Sequence, residues 1–438
     1  MFVLGVLAAL LGLLLSIALH EVGHLVSAKR YGIKVTQYMV GFGPTLWSRR
    51  RGETEYGLKA IPLGGYVRMI GMFPPASRAA RRPGSTGFVA ALVDDARAAS
   101  GEEVGPGEEH RAFYAQSVPK RLVVMAAGPV MNLVIAVVLL AVVLIGLGTP
   151  QLTSTLGVVA DCVVPVSEAP RDCTPQDTVA PAAAAGFQEG DSVIRWGGQP
   201  VEDWATLAAA IEAGGVTSVD VLVRRDGEQT ELTVRPVLAE RPLVVDGELV
   251  LDEAGEPVLE ARPFVGFGPG VGLVRQSPGT LPGAVADMVG RTVDLVLALP
   301  QRVVAVTQAA FGDGERDANG VVGLVGLGRF AGEIAAFDAE DYTTAARVAD
   351  LLSLLAALNV ALFIFNLLPL VPLDGGHVAG ALWEGARRRV ARLRRRPDPG
   401  PVDVARAMPL AYIVVLLVLG MGLLLAYADI VRPVTLGG

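Results

Sequence analysis

The stretch "SIALHEVGHLVSA", residues 16–28, sets two histidines and a glutamate inside a segment apolar enough to cross a membrane. In an α-helix, residues i and i+4 share one face, so His20 and His24 can hold a single metal ion between them. Glu21 stands one step further round and can hold a water beside that ion. An ionisable side chain within a span costs on the order of 2.5 kcal/mol or more and is functional by default. The bland alternative is three buried polar residues bonding to neighbouring helices, a role that does not call for this spacing. The chain has only 4 histidines, and two of them are here.

The composition agrees with a membrane setting. Of 438 residues, 52% are hydrophobic and only 18% charged, below the roughly 25% usual in soluble domains. The net charge of −7 is modest and no basic domain stands out, which argues against a nucleic-acid partner. Four apolar runs reach spanning length: 2–19, compatible with helix as far as 28, then 122–148, 351–371 and 408–428. Each covers a hydrocarbon core of about 30 Å. A fifth run, 284–311, carries Asp287, Arg291, Asp294, Arg302 and an internal Pro300, and reads as an amphipathic interfacial helix. Arginine clusters at 49–51 and 387–396 fall between spans one and two and between spans three and four. The positive-inside rule puts both loops in the cytoplasm, and the N-terminus and the region 149–350 outside. Cleavage after "SIA" (16–18), as from a signal peptide, is the competing reading. The absence of positive charge before the apolar run favours a retained span.

These signals predict a polytopic α-helical membrane protein with four transmembrane helices, a small membrane-surface β meander and an extracytoplasmic α/β domain. The first transmembrane helix occupies 1–30. Residues 31–73 are rich in β-branched and aromatic residues with Gly punctuation, and read as strands at the cytoplasmic face. Residues 74–112 have the Pro, Gly, Ser and charge content of a disordered insert. The second span occupies 113–149, a compact domain 150–265, an interfacial linker 266–349, the third span 350–380, a basic loop 381–406, and the fourth span with its tail 407–438. Within the compact domain, Asp226-Gly227 marks a hairpin and "VVDGELVL" a second one. Its order of elements, above all "GFQEGDSVIRWGGQPV" (186–201), resembles a PDZ domain. It departs from that family at the Pro- and Cys-bearing insert 161–180, which puts peptide binding in the PDZ mode in doubt. Cys162 and Cys173 are expected to close a small disulfide loop on the oxidising side, with two free buried thiols as the alternative.

Two histidines do not complete a catalytic zinc site, which wants three protein ligands and an open position. The third span ends in "NLLPLVPLDGGH" (366–377), where Pro369 and Pro372 break the helix and Gly375-Gly376 oppose its regular continuation. Broken backbone at membrane depth is tolerated where protein or water satisfies it. Asp374 on that segment is the expected third ligand, and His377 is its rival. His110, in the polar insert, reads as solvated.

H-E-V-G-H in the first span together with N-L-L-P-L-V-P-L-D-G-G in a late one resembles the site-2 proteases, intramembrane zinc metalloproteases. "GFGP" (41–44), "IPLGGYVRM" (61–69), "AQSVPKRLVVMAAGPVMN" (115–132) and "GLVGLGRFAGE" (323–333) add to the resemblance, which covers all but 74–110. It implies that His20, His24 and Asp374 bind Zn2+, that Glu21 is catalytic, that Asn366 engages substrate, and that the strands of 31–72 receive the unwound substrate. It also implies single-pass membrane substrates such as anti-sigma factors, cut after an upstream site-1-type protease, in the cell membrane with the active site near the cytoplasmic side. The bulk of the outside domain predicts a filter against large ectodomains. Plainer readings stand beside these: Glu21 only balancing metal charge, Asn366 packing helices, and 31–72 anchoring the span. A non-catalytic PDZ-bearing scaffold with a structural metal site, or a metal carrier, are the competing functions.

Overall fold

In the computed structural model, residues 1–74, 93, 97–98, 100–164, 171–245, 248–251, 256–311, 320–338 and 342–434 are described. The chain divides into two compact units, 1–147 with 276–438, and 148–275.

The first unit is built on helices. α1 (Phe2–Arg30), α2 (Val118–Ala141, continued by a wider turn Val142–Leu147) and two later helices described below are long and apolar enough to cross a membrane. Their outward faces expose Leu4, Leu11, Val134 and Val138, which in a bilayer meet lipid. α1 is the hub of the unit, and small residues let its neighbours approach. A Cβ on Gly23 would come within 2.4 Å of the Ala127 carbonyl oxygen of α2, and one on Gly5 within 2.1 Å of the Ala331 carbonyl oxygen. Such small-residue crossings bring backbones together where no hydrophobic effect drives helices to associate.

After α1 the chain forms two long strands, β1 (Val35–Arg51) and β2 (Thr54–Met69). They curl so that the 35–40 stretch is flanked on both sides. Gln37 pairs with Arg68 and with Glu55, Tyr38 with Val67 and with Tyr56, while Arg49 pairs with Tyr56 across the turn. The 65–69 stretch therefore forms one edge of the sheet. The polar segment that follows differs from the expectation of disorder over 74–112. Residues 100–112 pack on the strands through Lys34–Glu108, Arg68–Glu103 and Arg111–Glu53 ion pairs, and Ala112 and Phe113 are buried. Its charges find partners, which composition alone does not show. The rest of that segment, apart from residues 74, 93 and 97–98, lies outside the described residues.

In the second unit, β3 (Thr149–Val159), α3 (Pro181–Ala185), β4 (Ser192–Trp196), β5 (Gln199–Pro200), α4 (Trp204–Gly214), β6 (Val219–Arg225) and β7 (Glu228–Val234) follow one another. β8 (Val237–Pro242), the short pair β9 (Val244–Val245) and β10 (Glu248–Leu249), β11 (Leu259–Phe264) and β12 (Phe267–Val274) complete it. The main sheet runs β12-β3-β4-β6-β7, with β5 on β4, while β8 pairs with β11. α4 starts where Asp203 accepts from the Thr206 N–H at 2.8 Å, an N-cap that satisfies one of the helix's free donors. β6 and β7 turn at Asp226 and Gly227, both with positive φ, as a two-residue hairpin requires. Leu156, Phe187, Val193, Trp196, Leu207 and Val223 form the core. Cys162 and Cys173 are joined by a disulfide.

Back in the first unit, the 284–311 run is not one helix. α5 (Leu281–Leu297) and α6 (Leu299–Phe311) meet at a bend of 65°, with Pro300 in the first turn of α6. Proline fits a helix start and disrupts a helix interior, so the run is cut there. The bent pair passes as a broken span or a re-entrant loop by length and composition, giving four to five spans among the described residues. α7 (Leu324–Ala336) follows, then α8 (Thr344–Leu367), the third long apolar helix. The chain breaks over 368–373, and α9 (Asp374–Leu393) begins at the aspartate itself. This corrects two expectations. The glycine pair does not interrupt a helix but lies in its first turn, where a Cβ on Gly375 would stand 2.2 Å from the Leu368 carbonyl oxygen. The expected basic loop from 381 is helical to Leu393, consistent with the good helix propensity of its Ala, Leu and Arg residues. α10 (Met408–Val431) is the fourth apolar helix.

Candidate metal centre

α1 presents Ser16, His20, Glu21, Gly23 and His24 as a buried stripe. The break after α8 then delivers Asp374 from 350 residues further along the chain. The three atoms facing each other are His20 Nε2, His24 Nε2 and Asp374 Oδ2. Their separations are 3.3 Å between the imidazoles, 3.4 Å from His20 to Asp374, and 3.3 Å from His24 to Asp374. No other group of three or more such side chains could gather on a metal among the described residues.

Those spacings test the fit of a metal. Zinc bonds to nitrogen and oxygen are about 2.0–2.1 Å long, so a tetrahedral site has edges of about 3.3–3.4 Å between ligand atoms. The triangle has that size on all three sides. Two imidazole nitrogens and a carboxylate oxygen are also the donor set of a catalytic zinc site, with the fourth position left for water or substrate. The residues present fit the ion.

Behind the triangle stands α2. The His24 Nδ1 donates to the Val124 carbonyl at 2.8 Å, and His20 Nδ1 lies 3.1 Å from the Asn132 amide. In front lies a cavity of about 450 Å³ lined by His20, Glu21, His24 and Asp374 and by Gly65, Tyr66 and Val67 of the sheet edge. Glu21 is buried against that edge: a Cβ on Gly65 would lie 3.0 Å from the Glu21 Cγ. Met69, Met72 and Met125 give the cavity an adaptable apolar wall. Asn366 and His377 line it too. His377 is therefore near the triangle and outside it, its ring packed beside those of Phe73 and Phe113 at 6.1 and 6.3 Å. His110 is exposed on the polar segment.

Sequence reasoning missed Val124, Asn132 and the methionines. "GPVMN" was visible as a motif, but nothing in one sequence aligns its asparagine with an imidazole 112 positions earlier. A further cluster of buried charge lies at the start of α2. Glu384 of α9, wholly buried, pairs with Arg121 and, at 3.1 Å, with Arg388, and accepts from the Val402 N–H at 2.9 Å. It ties the helix that carries Asp374 to the helix that backs the histidines.

The family model described as "Peptidase family M50" matches residues 8–397. The chain is 36% identical to the zinc metalloprotease Rip1 of Mycobacterium tuberculosis over 447 residues, covering 100% of this chain and 99% of that one. It is 27% identical to the metalloprotease MmpA of Caulobacter vibrioides, over 89% of each chain. With the regulator of sigma-W protease RasP of Bacillus subtilis it shares 26% identity, over 88% of this chain and 91% of that one. With a family match across nearly its whole length and relatives named for zinc, the chain belongs to peptidase family M50, the site-2 proteases, and is a zinc metalloprotease.

Proposed function

We propose that this protein hydrolyses peptide bonds within the transmembrane segments of single-pass membrane proteins, with His20, His24 and Asp374 holding Zn2+ and Glu21 moving the protons. The single observation that carries the reading is the triangle of ligand atoms, of zinc-site size, beside a buried glutamate in an apolar helix. Zinc held by these three residues would supply Lewis acidity toward the scissile carbonyl and toward an attacking water. Glu21 accepts the proton of that water and returns it to the leaving amine, and its burial keeps bulk water from competing. A helical substrate must first give up its own hydrogen bonds. The 65–69 edge of the sheet offers replacement donors and acceptors by strand addition, next to Glu21. Asn366, at the cavity wall, holds the unwound backbone through its amide.

The chain sits in the cell membrane with its basic segments in the cytoplasm, following the arginine distribution. Unit 148–275 is extracytoplasmic and PDZ-like. A strand, a capped helix and a tight hairpin in sequence support that likeness, and the disulfide suits the oxidising side. Substrates are of the anti-sigma-factor class, shortened beforehand by an upstream protease. The support is the relative whose name is regulator of sigma-W protease.

The test is Glu21→Gln assayed on a tagged single-pass substrate in membranes. Zinc content stays at the wild-type level while cleavage falls about 10²–10⁴-fold, the usual weight of a general base. Unaltered cleavage would overturn the assignment.

A further inference from the structure

Neither the proposed mechanism nor the family assignment uses the wall of α2 behind the imidazoles. We propose that Asn132 is a positioning residue that holds His20 in the one tautomer able to ligate through Nε2; this rests on the metal-site reading above.

A neutral imidazole carries one N–H and one lone pair. Ligation through Nε2 uses the lone pair there, so the proton must sit on Nδ1 and needs an acceptor. For His24 the acceptor is plain: the Val124 carbonyl, 2.8 Å from Nδ1, can only accept. For His20 the neighbour at 3.1 Å is the Asn132 side-chain amide, buried at 1% exposure. With the amide nitrogen on the Nδ1 side, Asn132 Oδ1 is buried without a partner. Nδ1 would then have to accept, and the His20 proton would move to Nε2, into the middle of the ligand triangle. Rotating the amide by 180° exchanges its oxygen and nitrogen within the same envelope. The oxygen then accepts from Nδ1–H, and the Nε2 lone pair points at His24 and Asp374, where the spacings of 3.3 and 3.4 Å require it.

The setting is built for this. Val124, Gly128 and Asn132 recur at intervals of four along one face of α2, facing an imidazole at each level. A Cβ on Gly128 would lie 2.1 Å from His24 Nε2, so the middle position is kept empty for the ring. An amide buried inside a span is costly without a bonded partner, which a merely space-filling residue would avoid.

The experiment measures zinc affinity of the full-length protein in detergent by competition with a chromophoric chelator. The forms compared are wild type, Asn132→Asp, Asn132→Leu and His20→Ala, with melting of each metal-free form alongside. Asn132→Leu loses about 10–100-fold in zinc affinity, the usual weight of such a partner. Asn132→Asp stays near wild type, since a carboxylate accepts the same proton. Asn132→Ala repeats the test if the leucine form does not accumulate. Leucine and alanine forms that bind zinc as the wild type does would overturn the proposal, and so would an aspartate form as weak as they are. His20→Ala binding zinc at wild-type affinity would instead sink the metal-site reading, and this proposal with it.

Discussion

The two units hide opposite things. Among the described residues, every buried polar or charged side chain but one lies in the unit of long apolar helices, and the exception is Asp191. Unit 148–275 keeps its polar groups outside and a core of Leu, Val, Phe and Trp within. Asp191 is held there by a two-pronged pairing with Arg225 at 2.7 Å. The helical unit turns apolar side chains outward and buries Ser16, His20, Glu21, His24, Arg121, Asn132, Asn359 and Glu384. A water-facing domain gains stability by burying hydrocarbon, whereas a lipid-facing one gains little from it, since lipid is as apolar as leucine. Polar contacts then specify how the helices meet. Asn359 donating to Ser16 at 2.9 Å, one turn before His20, is one such contact.

The largest effect that would sharpen this contrast comes from removing the carboxylate proposed as third ligand. Asp374→Ala, or chelation of the wild type, takes away several kcal/mol of transition-state stabilisation, so cleavage falls by about 10³-fold or more. Zinc content measured on the purified protein falls with it, while melting of unit 148–275 does not move. Next, Glu384→Ala leaves Arg121 buried without its carboxylate. Breaking a buried pair costs about 3–5 kcal/mol, to be read as lowered thermal stability of the helical unit in detergent. Leu207→Ala makes a cavity in the other core and costs about 2–5 kcal/mol there. Zinc content should be unchanged, and a parallel loss of zinc would break the division into two independent units. Cys173→Ser opens the disulfide loop and costs about 2–4 kcal/mol, visible as faster protease nicking within 148–275.

The smallest effect concerns acid. Asp177 accepts from Arg171 at 2.6 and 2.7 Å and from Thr174, and these donors hold its carboxyl well below the usual range. Its contribution is present above the unfolded value of about 3.9 and is lost only as pH falls through the lower folded value. Acidification from pH 7 to about pH 5 therefore leaves the nicking rate of this loop unaltered; a rise over that interval would show that the clamp does not form.

Much of this was legible in one chain of letters because it is periodic or local. Four runs of spanning length, the i, i+4 histidines with their glutamate, and the breaking power of Pro369 and Pro372 depend on residues close in sequence. Readings that failed concerned partners. Residues 100–112 looked disordered because Glu103 and Glu108 are ordinary solvated charges until Arg68 and Lys34 come beside them. Gly375 and Gly376 looked like helix breakers because their value lies in a close approach to the 367–371 backbone.

The sequence by itself determined that one helix carries two imidazoles and a carboxylate into the bilayer, since helical pitch alone fixes which side chains share a face. Only the tertiary structure decided that Asp374 arrives 3.3 Å from His24 and that Val124 and Asn132 stand behind the rings. Those positions follow from how α2, α8 and α9 cross α1, and side-chain spacing along a chain carries no record of a crossing.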